Sequence, residues 1–405
     1  MEVATANKTF LSSQFDSFLS NRKEPDWLIQ LRKKAFAILE NTPLPNSKQE
    51  SWRKINLSNF SIETLLSANK KSSSFSINMD EIHSNDFSKL EEMDIQFIQD
   101  SFQKLLDRYK ANYFALLNFS FFDIGILIKV PKNKIIESYI EMDVQYPQGE
   151  TSFQPLLFWK IESNTSVKIV EKFNSPITED FNLINPFSYI ELSENSQTKF
   201  ITIEDFESST FHFRNIESNQ GRASALNLFH FYLGGYKGKT LINHDLSGEG
   251  ANLISHGATT LAKKEFQDIE FNISHFSSRT DSELKLKAVV KDKSHHVFTG
   301  NLFIPKTSLH VTASQINNNL TMARTARAES MPKLEVFADD VKCSHGATVG
   351  EVNEDQLFYL MSRGLTENES RFLIIEGFLK EILDLVDKEE IQSYLVSRLT
   401  KKLYN

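Results

Sequence analysis

The pattern of apolar and polar positions divides the chain into a β-rich middle and two helical ends. From about Phe114 onward, β-branched and aromatic residues come in short runs, a texture typical of strands. The strands are predicted at residues 125–130, 166–170, 199–203, 225–232, 266–271, 284–290 and 297–304. No proline lies between residues 187 and 304, as expected where every backbone N–H joins a sheet ladder. Helical spacing is absent from this block, so we expect roughly two hundred residues of strands without helices.

Helical spacing marks both ends of the chain. Residues 27–39 and 93–109 carry apolar side chains every three or four positions. Near the C-terminus, Asn353 can cap a helix that ends at Gly364, and Thr366 followed by Glu369 forms a capping box that opens another helix. We therefore expect helices before and after the strands.

A β block of this length can form a sandwich, a barrel or a stacked solenoid. The tetrapeptide His-Gly-Ala-Thr occurs twice, at 256–259 and 345–348, each time after a serine. A repeated tetrapeptide is expected where successive turns of a solenoid have equivalent corners, so it favours stacking. Two copies of four residues also arise by chance.

Composition and charge narrow the classes of protein. The 405 residues include one cysteine, so no intramolecular disulfide can form and we expect a reducing, cytoplasmic compartment. The net charge is −8 without a basic block, which gives nucleic acid binding little electrostatic support. The N-terminus lacks the apolar core of a signal peptide, and the most apolar stretch, residues 115–130, is interrupted by Asn118 and Asp123. We therefore expect no membrane segment and no nucleic acid partner.

The single cysteine, Cys343, lies two residues before His345. If this segment is a strand, both side chains project from the same face, with their Cα atoms ~7 Å apart. That spacing suits two ligands of one soft metal centre, an imidazole that activates a thiolate, or an inert pair in which the thiol is only a small apolar group. One cysteine cannot supply a standard zinc or iron–sulfur site, so a metal here would need further ligands from another subunit.

Other catalytic motifs are missing from the sequence. There is no Gly-x-x-x-x-Gly-Lys-Ser/Thr phosphate loop, no Gly-x-Gly-x-x-Gly after a strand, and no Gly-x-Ser-x-Gly nucleophile elbow. The glycine-rich run at residues 234–238 lacks the strand-to-helix setting of a phosphate site, and we interpret it as a turn.

The predicted C-terminal helices carry more apolar surface than one neighbour covers. They can be buried on two sides within their own domain, or part of this surface can dock a partner protein. The candidate docking residues are Leu357, Phe358, Leu360, Met361, Phe372, Ile375, Phe378 and Leu379.

The segment 338–350, Ala-Asp-Asp-Val-Lys-Cys-Ser-His-Gly-Ala-Thr-Val-Gly, and residues 356–364 after it resemble the SufB/SufD family of the SUF iron–sulfur cluster assembly system. The similarity extends upstream through residues 298–304, the Gln315-x-x-x-Asn319 region and residues 332–335. The chain is more similar to SufD than to SufB, because SufB-like chains keep further cysteines, including the one that accepts sulfur.

The resemblance implies a mainly β fold with flanking helices. In this fold a central right-handed β-helix, residues 113–350, lies between an N-terminal helical domain, residues 1–112, and a C-terminal helical domain, residues 351–405.

The resemblance also implies a non-catalytic scaffold. In the family, the β-helix pairs with a SufB-like paralogue, and the C-terminal helices bind a SufC-like ABC ATPase that hydrolyses the ATP. Cys343 and His345 carry over as candidate metal-binding residues of a transient iron–sulfur cluster at the subunit interface. A reduced flavin can accompany the complex, and we expect that the isolated chain can form a homodimer.

Two other functions remain open from the residues alone. One is a thiol enzyme that uses Cys343 as nucleophile with His345 as base. The other is a carbohydrate-acting β-helix, which the missing secretion signal disfavours.

Overall fold

The computed structural model describes residues 2–66, 74–77, 82–147 and 149–404. The helices before the strands are α1 (Glu2–Ser20), α2 (Asp26–Leu39), α3 (Ile62–Leu65), α4 (Glu92–Tyr109) and α5 (Tyr113–Phe121). The helices after the strands are α6 (Glu354–Ser362), α7 (Glu367–Leu383) and α8 (Glu389–Tyr404). Short 3₁₀ helices lie at Glu50–Trp52 and Phe87–Lys89.

The first strands are β1 (Ser74–Ile77), β2 (His83–Asp86), β3 (Gly125–Val130), β4 (Ile135–Gln145), β5 (Ser152–Phe153), β6 (Leu156–Ile161), β7 (Ser166–Asn174), β8 (Asn182–Ile184), β9 (Phe187–Leu192) and β10 (Gln197–Asp205). The later strands are β11 (Thr210–Gln220), β12 (Ala225–Tyr232), β13 (Lys237–Leu246), β14 (Asn252–Leu261), β15 (Phe266–His275), β16 (Asp281–Val290), β17 (His295–Ile304), β18 (Val311–Thr321), β19 (Arg327–Val336) and β20 (Val341–Glu351). All seven strands predicted from the sequence are present.

The strands from β3 onward coil into a β-solenoid with two parallel sheets. The first sheet has the order β4-β7-β10-β12-β14-β16-β18-β20, and the second has the order β3-β6-β9-β11-β13-β15-β17-β19. Each turn contributes one strand to each sheet, so the described residues form eight turns. Parallel neighbours need a long connection, and here the strand of the opposite sheet provides it. The mainly β solenoid between helical ends confirms the fold expected from the sequence.

One end of the solenoid is covered by antiparallel strands. β1 pairs antiparallel with β4, and β2 pairs antiparallel with β3. These two short strands occupy the edges of the first turn, so the described chain protects this end of both sheets.

Left-handed backbone conformations form corners of the solenoid. Asn133, Asn164 and Asn195 have φ values of 61°, 57° and 57° and lie between the two strands of successive turns. Nδ2 of Asn164 donates to Oδ1 of Asn133 at 3.0 Å, and Nδ2 of Asn195 donates to Oδ1 of Asn164 at 3.3 Å. Asparagine tolerates this conformation better than most residues. These asparagines are 31 residues apart and mark the repeat in the sequence.

The His-Gly-Ala-Thr echo does not mark equivalent positions, so this argument for stacking was wrong. Both copies lie in the first sheet, but the strand register aligns His256 with Gly346 rather than with His345. A shift of one residue turns every side chain to the opposite face of a sheet. His256 accordingly contacts Glu283 on the outside, whereas His345 lies on the interior side of its strand.

Residues Tyr113–Phe121 form a helix, where strands were predicted from about Phe114. Asn112 caps this helix by accepting a hydrogen bond from the Ala115 N–H at 3.0 Å. All nine residues of α5 are buried. An apolar run buried on every side has no polar face, and its pattern therefore cannot distinguish a helix from a strand.

The predicted ends of the C-terminal helices and the glycine-rich turn are confirmed. The Asn353 side chain accepts hydrogen bonds from two N–H groups of α6, and the Thr366–Glu369 capping box is complete. Gly364 follows α6 with a φ of 95°, a conformation that glycine adopts without strain. The glycine-rich run begins in the turn between β12 and β13, where Gly235 has a φ of 102°, and its last two residues are the first of β13.

The two helical regions cover the outer faces of different sheets. The N-terminal region packs on the second sheet, where the ring of Phe114 stacks on Phe213 with 3.5 Å between centroids. The C-terminal helices pack on the first sheet, where Leu379 joins Ile201 and Phe229 in one apolar cluster. Among the helices described, none combines the length and the apolar character that a membrane span requires.

Candidate functional site

The solenoid finishes in two long strands, β19 and β20, which are the last strands of their sheets. They are 10 and 11 residues long, and no described strand pairs with their outer edges. Leu334, Phe337 and Val349 expose 36%, 60% and 54% of their surface here. Unpaired N–H and C=O groups along a long edge are a template for another strand. We call β19, β20 and the turn at 337–340 between them the open end.

Cys343 and His345 lie in β20 and face the interior side of the solenoid. Their ladder neighbours in β18 are Ala313 and Gln315, both buried. Cys343 is partly buried and packs against the interior apolar core. His345 is exposed, because β20 belongs to the last turn and no further turn covers it. The structure therefore places the two sequence-predicted residues on the same face of one strand of the open end.

Burial raises the pKa of the Cys343 thiol. A raised pKa lowers the thiolate fraction near neutral pH, and the thiolate is both the nucleophile and the metal ligand. This electrostatic setting disfavours the thiol-enzyme hypothesis for the isolated chain, since a catalytic cysteine needs a lowered pKa. A cation or metal brought by a partner would act in the opposite direction and favour the thiolate.

The described part of the chain contains no group of three or more histidine, cysteine, aspartate or glutamate side chains placed to hold a metal ion. Cys343 and His345 offer two donor atoms, one sulfur and one nitrogen. Both residues lie on the interior side of β20, which no further turn covers. Two donors are fewer than a standard zinc or iron–sulfur site uses. The arrangement can contribute half of a site, provided that another chain lies against the open end.

The candidate docking residues divide between the core and the surface. Leu357, Ile375 and Leu379 are buried in the cluster beneath the C-terminal helices, so their side chains hold those helices on the first sheet. The other five are accessible, and Phe358 and Met361 expose 74% and 42% of their surface. The partly exposed ones are Leu360, Phe372 and Phe378.

The exposed apolar surface also includes two residues outside the predicted docking set. Tyr359 and Leu373 are exposed, and with Leu360 and Ile374 they line a shallow groove between α6 and α7. The extra apolar positions of α7 were visible in the sequence, but which of them face outward depends on how the helices pack. We call this groove, together with Phe358 and Met361, the α6–α7 surface.

Comparisons with known proteins converge on one family. Residues 145–378 match the family model described as SUF system FeS cluster assembly, SufBD core domain. The chain is 29% identical to an iron–sulfur cluster assembly SufBD family protein of Synechocystis over 70% of its length. It is 26% identical to the iron–sulfur cluster assembly protein SufD of Escherichia coli over 63% of its length. It is 22% identical to SufD of Bacillus subtilis over 96% of both chains.

The matched regions leave parts of the relatives uncovered. The alignments span 64% of the Synechocystis protein and 65% of the Escherichia coli protein. The matched family model begins within β4 and ends within α7, so it covers most of the solenoid, the open end and the α6–α7 surface.

Proposed function

The chain belongs to the SufB/SufD family of iron–sulfur cluster assembly proteins, and on that premise we propose that it is a SufD-type scaffold subunit of a cytoplasmic assembly complex. The observation that carries the proposal is the position of Cys343 and His345 at a solenoid end with free strand edges. In this role the chain itself catalyses no reaction. ATP hydrolysis belongs to the partner subunit.

The partner at the open end is a SufB-like paralogue that continues the two sheets. Strand addition supplies main-chain hydrogen bonds along β19 and β20, and the exposed Leu334, Phe337 and Val349 add apolar contact area. The nascent iron–sulfur cluster is the cargo of this interface, with Cys343 and His345 as ligands from one side.

Substitution of the two ligands tests the proposal. In a complex with the SufB-like paralogue and the SufC-like ATPase of the same organism, reconstituted anaerobically, we expect Cys343→Ser and His345→Ala each to lower the cluster yield about tenfold, measured by visible absorbance. Ser344→Ala is the matched control, because Ser344 lies between them on the opposite face of β20. Undiminished cluster yield from both variants would remove these residues from the site.

The C-terminal region, residues 351–405, is proposed to dock the SufC-like ATPase through the α6–α7 surface. Its exposed apolar residues lie beside charged neighbours, an arrangement that suits a partner contact. We expect the double change Phe358→Ala with Met361→Ala to weaken ATPase binding by a factor of ten or more, roughly the loss of one buried anchor residue. Binding is measured by calorimetry.

Met93→Ala is the control for the docking test, because Met93 is 78% exposed on α4, in the N-terminal helical region. An equal loss of binding in both proteins, or no loss in the double variant, contradicts docking at the α6–α7 surface.

The flavin implied by the resemblance is not assigned to this chain. A dinucleotide phosphate is commonly held where a strand leads through glycines into a helix. In the described residues, β20 leads into α6. Two N–H groups in the first turn of α6 already donate hydrogen bonds to the Asn353 side chain. The donor set of this helix end therefore does not fit a phosphate.

A further inference from the structure

Three buried amide side chains line the interior of the solenoid one turn before the open end. On the interior face of β18 lie Gln315, Asn317 and Asn319, which expose 3%, 0% and 2% of their surface. Their neighbours in β16 are Leu284, Leu286 and Ala288, so the preceding turn is apolar at the same positions. We call Gln315, Asn317 and Asn319 the amide row.

The amide row donates hydrogen bonds to the backbone of both terminal strands. Nε2 of Gln315 reaches the carbonyl oxygen of Lys333 in β19 at 3.2 Å. Nδ2 of Asn319 reaches the carbonyl oxygen of Thr348 in β20 at 3.0 Å, and it also donates to Oδ1 of Asn317 at 2.6 Å. One row of side chains in the first sheet thus holds a strand of each sheet.

Gly300 in β17 accommodates the Gln315 side chain. A Cβ atom added at Gly300 would lie 2.4 Å from Oε1 of Gln315 and 2.9 Å from the ring of Phe298. Both distances are shorter than van der Waals contact, so a larger residue at 300 displaces the amide. Gly300 and Gln315, which belong to separate segments of the sequence, therefore form one interlocking pair across the solenoid interior.

A terminal turn lacks the stacking that stabilises the turns before it, because no further turn covers its interior side chains. Ala347 and Val349 of β20 are exposed for this reason. Apolar residues in β18 could stack on them from one side only, whereas the amides form directional bonds to the strand backbones. These bonds come from the interior and leave the outer edges of β19 and β20 free.

We propose that the amide row preorganises the open end: Gln315 and Asn319 are positioning residues that hold β19 and β20, and with them Cys343 and His345, in the geometry required for pairing. The inference rests on the proposed function only for its effect on pairing, since the ordering of the terminal strands is a property of the isolated chain. Preorganisation lowers the ordering cost of association.

Hydrogen exchange of the isolated full-length chain tests the proposal. In Gln315→Leu and in Asn319→Leu we expect amides within residues 327–351 to exchange about tenfold faster than in the unchanged chain. Gln220→Leu is the matched control, because Nε2 of buried Gln220 also donates to a strand carbonyl, that of Asn252 at 2.8 Å, far from the open end. Unchanged exchange at 327–351 in both variants, or an equal change in the control, overturns the proposal.

Pairing with the SufB-like paralogue is measured on the same variants. We expect Gln315→Leu to weaken pairing about tenfold and Gln220→Leu to leave it unchanged. Faster exchange without weaker pairing supports the positioning role and contradicts the open end as the pairing surface, so the two proposals fail separately.

A second experiment targets the interlock with Gly300. Gly300→Ala should accelerate hydrogen exchange at residues 327–351 in the otherwise unchanged chain. In a Gln315→Ala chain the same substitution should increase the exchange rate by a smaller factor, because the clashing amide is then absent. Fully additive effects of the two substitutions on the exchange rates overturn the coupling.

Discussion

Individual buried charges show how far the interior departs from an apolar core. Arg214 and Glu171 are fully buried and form a hydrogen-bonded ion pair inside the solenoid. Glu171 also accepts hydrogen bonds from Nε1 of Trp159 at 3.0 Å and from Oγ of Ser188 at 2.9 Å. A buried pair adds little net stability, but removing one partner leaves an uncompensated charge.

We expect Arg214→Met to lower the free energy of unfolding by about 3–5 kcal/mol, because two buried carboxylates, Glu171 and Glu204, would both lose this partner. The double change Arg214→Met with Glu171→Gln should recover only part of that loss, since a neutral amide can keep the bonds to Trp159 and Ser188 but buried Glu204 still lacks Arg214. Urea unfolding followed by circular dichroism measures both. A double variant less stable than Arg214→Met would contradict this account.

At the scale of elements, ion pairs fasten α7 to the first sheet. Oε1 of Glu381 lies 2.6 Å from Nζ of Lys285, and Oε2 lies 2.7 Å from Nζ of Lys287. Hydrogen bonds from these two lysines lower the pKa of Glu381 to about 2. Because Glu381 is 53% exposed, solvent screens the pairs and their contribution is modest.

The lowered pKa predicts a pH dependence of α7 docking. The ionised carboxylate stabilises the fold above the ordinary carboxyl pKa of 4.5, and this stabilisation is lost as the pH falls toward 2. Glu381→Gln should therefore increase hydrogen exchange in α7 at pH 7, and its difference from the unchanged chain should shrink between about pH 4.5 and pH 3. Glu376→Gln on the same helix is the control. A difference that stays constant over this range contradicts the assignment.

The elements that the sequence predicts best are those with a local cause. The Thr366–Glu369 capping box depends on neighbouring residues only, and the strand at 225–232 is visible in its local run of apolar and aromatic residues; both lie where the pattern predicted them. The buried helix α5 and the amide row depend on which residues surround them in space. The spacing of apolar residues along the chain does not reveal those neighbours. The sequence indicates that Cys343 and His345 share a strand face, but only the strand order reveals that this strand is the last one.

At the scale of the whole molecule, the open end should also govern self-association. In the absence of a SufB-like paralogue, two copies of the chain can satisfy their free edges with each other, so we expect a concentration-dependent homodimer. Phe337→Arg, which places a charge in the exposed turn, should weaken the dimer at least about tenfold in sedimentation experiments. Ile177→Arg is the control, because Ile177 is 85% exposed and lies before β8, away from the open end. A dimer that withstands Phe337→Arg but is lost in Ile177→Arg would contradict this assignment.

The antiparallel strands β1 and β2 cover the edges of the first turn, and this feature limits the size of any assembly. A copy that added in head-to-tail fashion would need a free edge at each end of the solenoid, and repetition would then produce a fibre. β1 and β2 are themselves the end strands of their sheets but are only four residues long, so among the described residues a long free edge lies only at β19 and β20. Two solenoids can therefore meet tail to tail about a twofold axis, and the assembly along the sheets closes at two subunits.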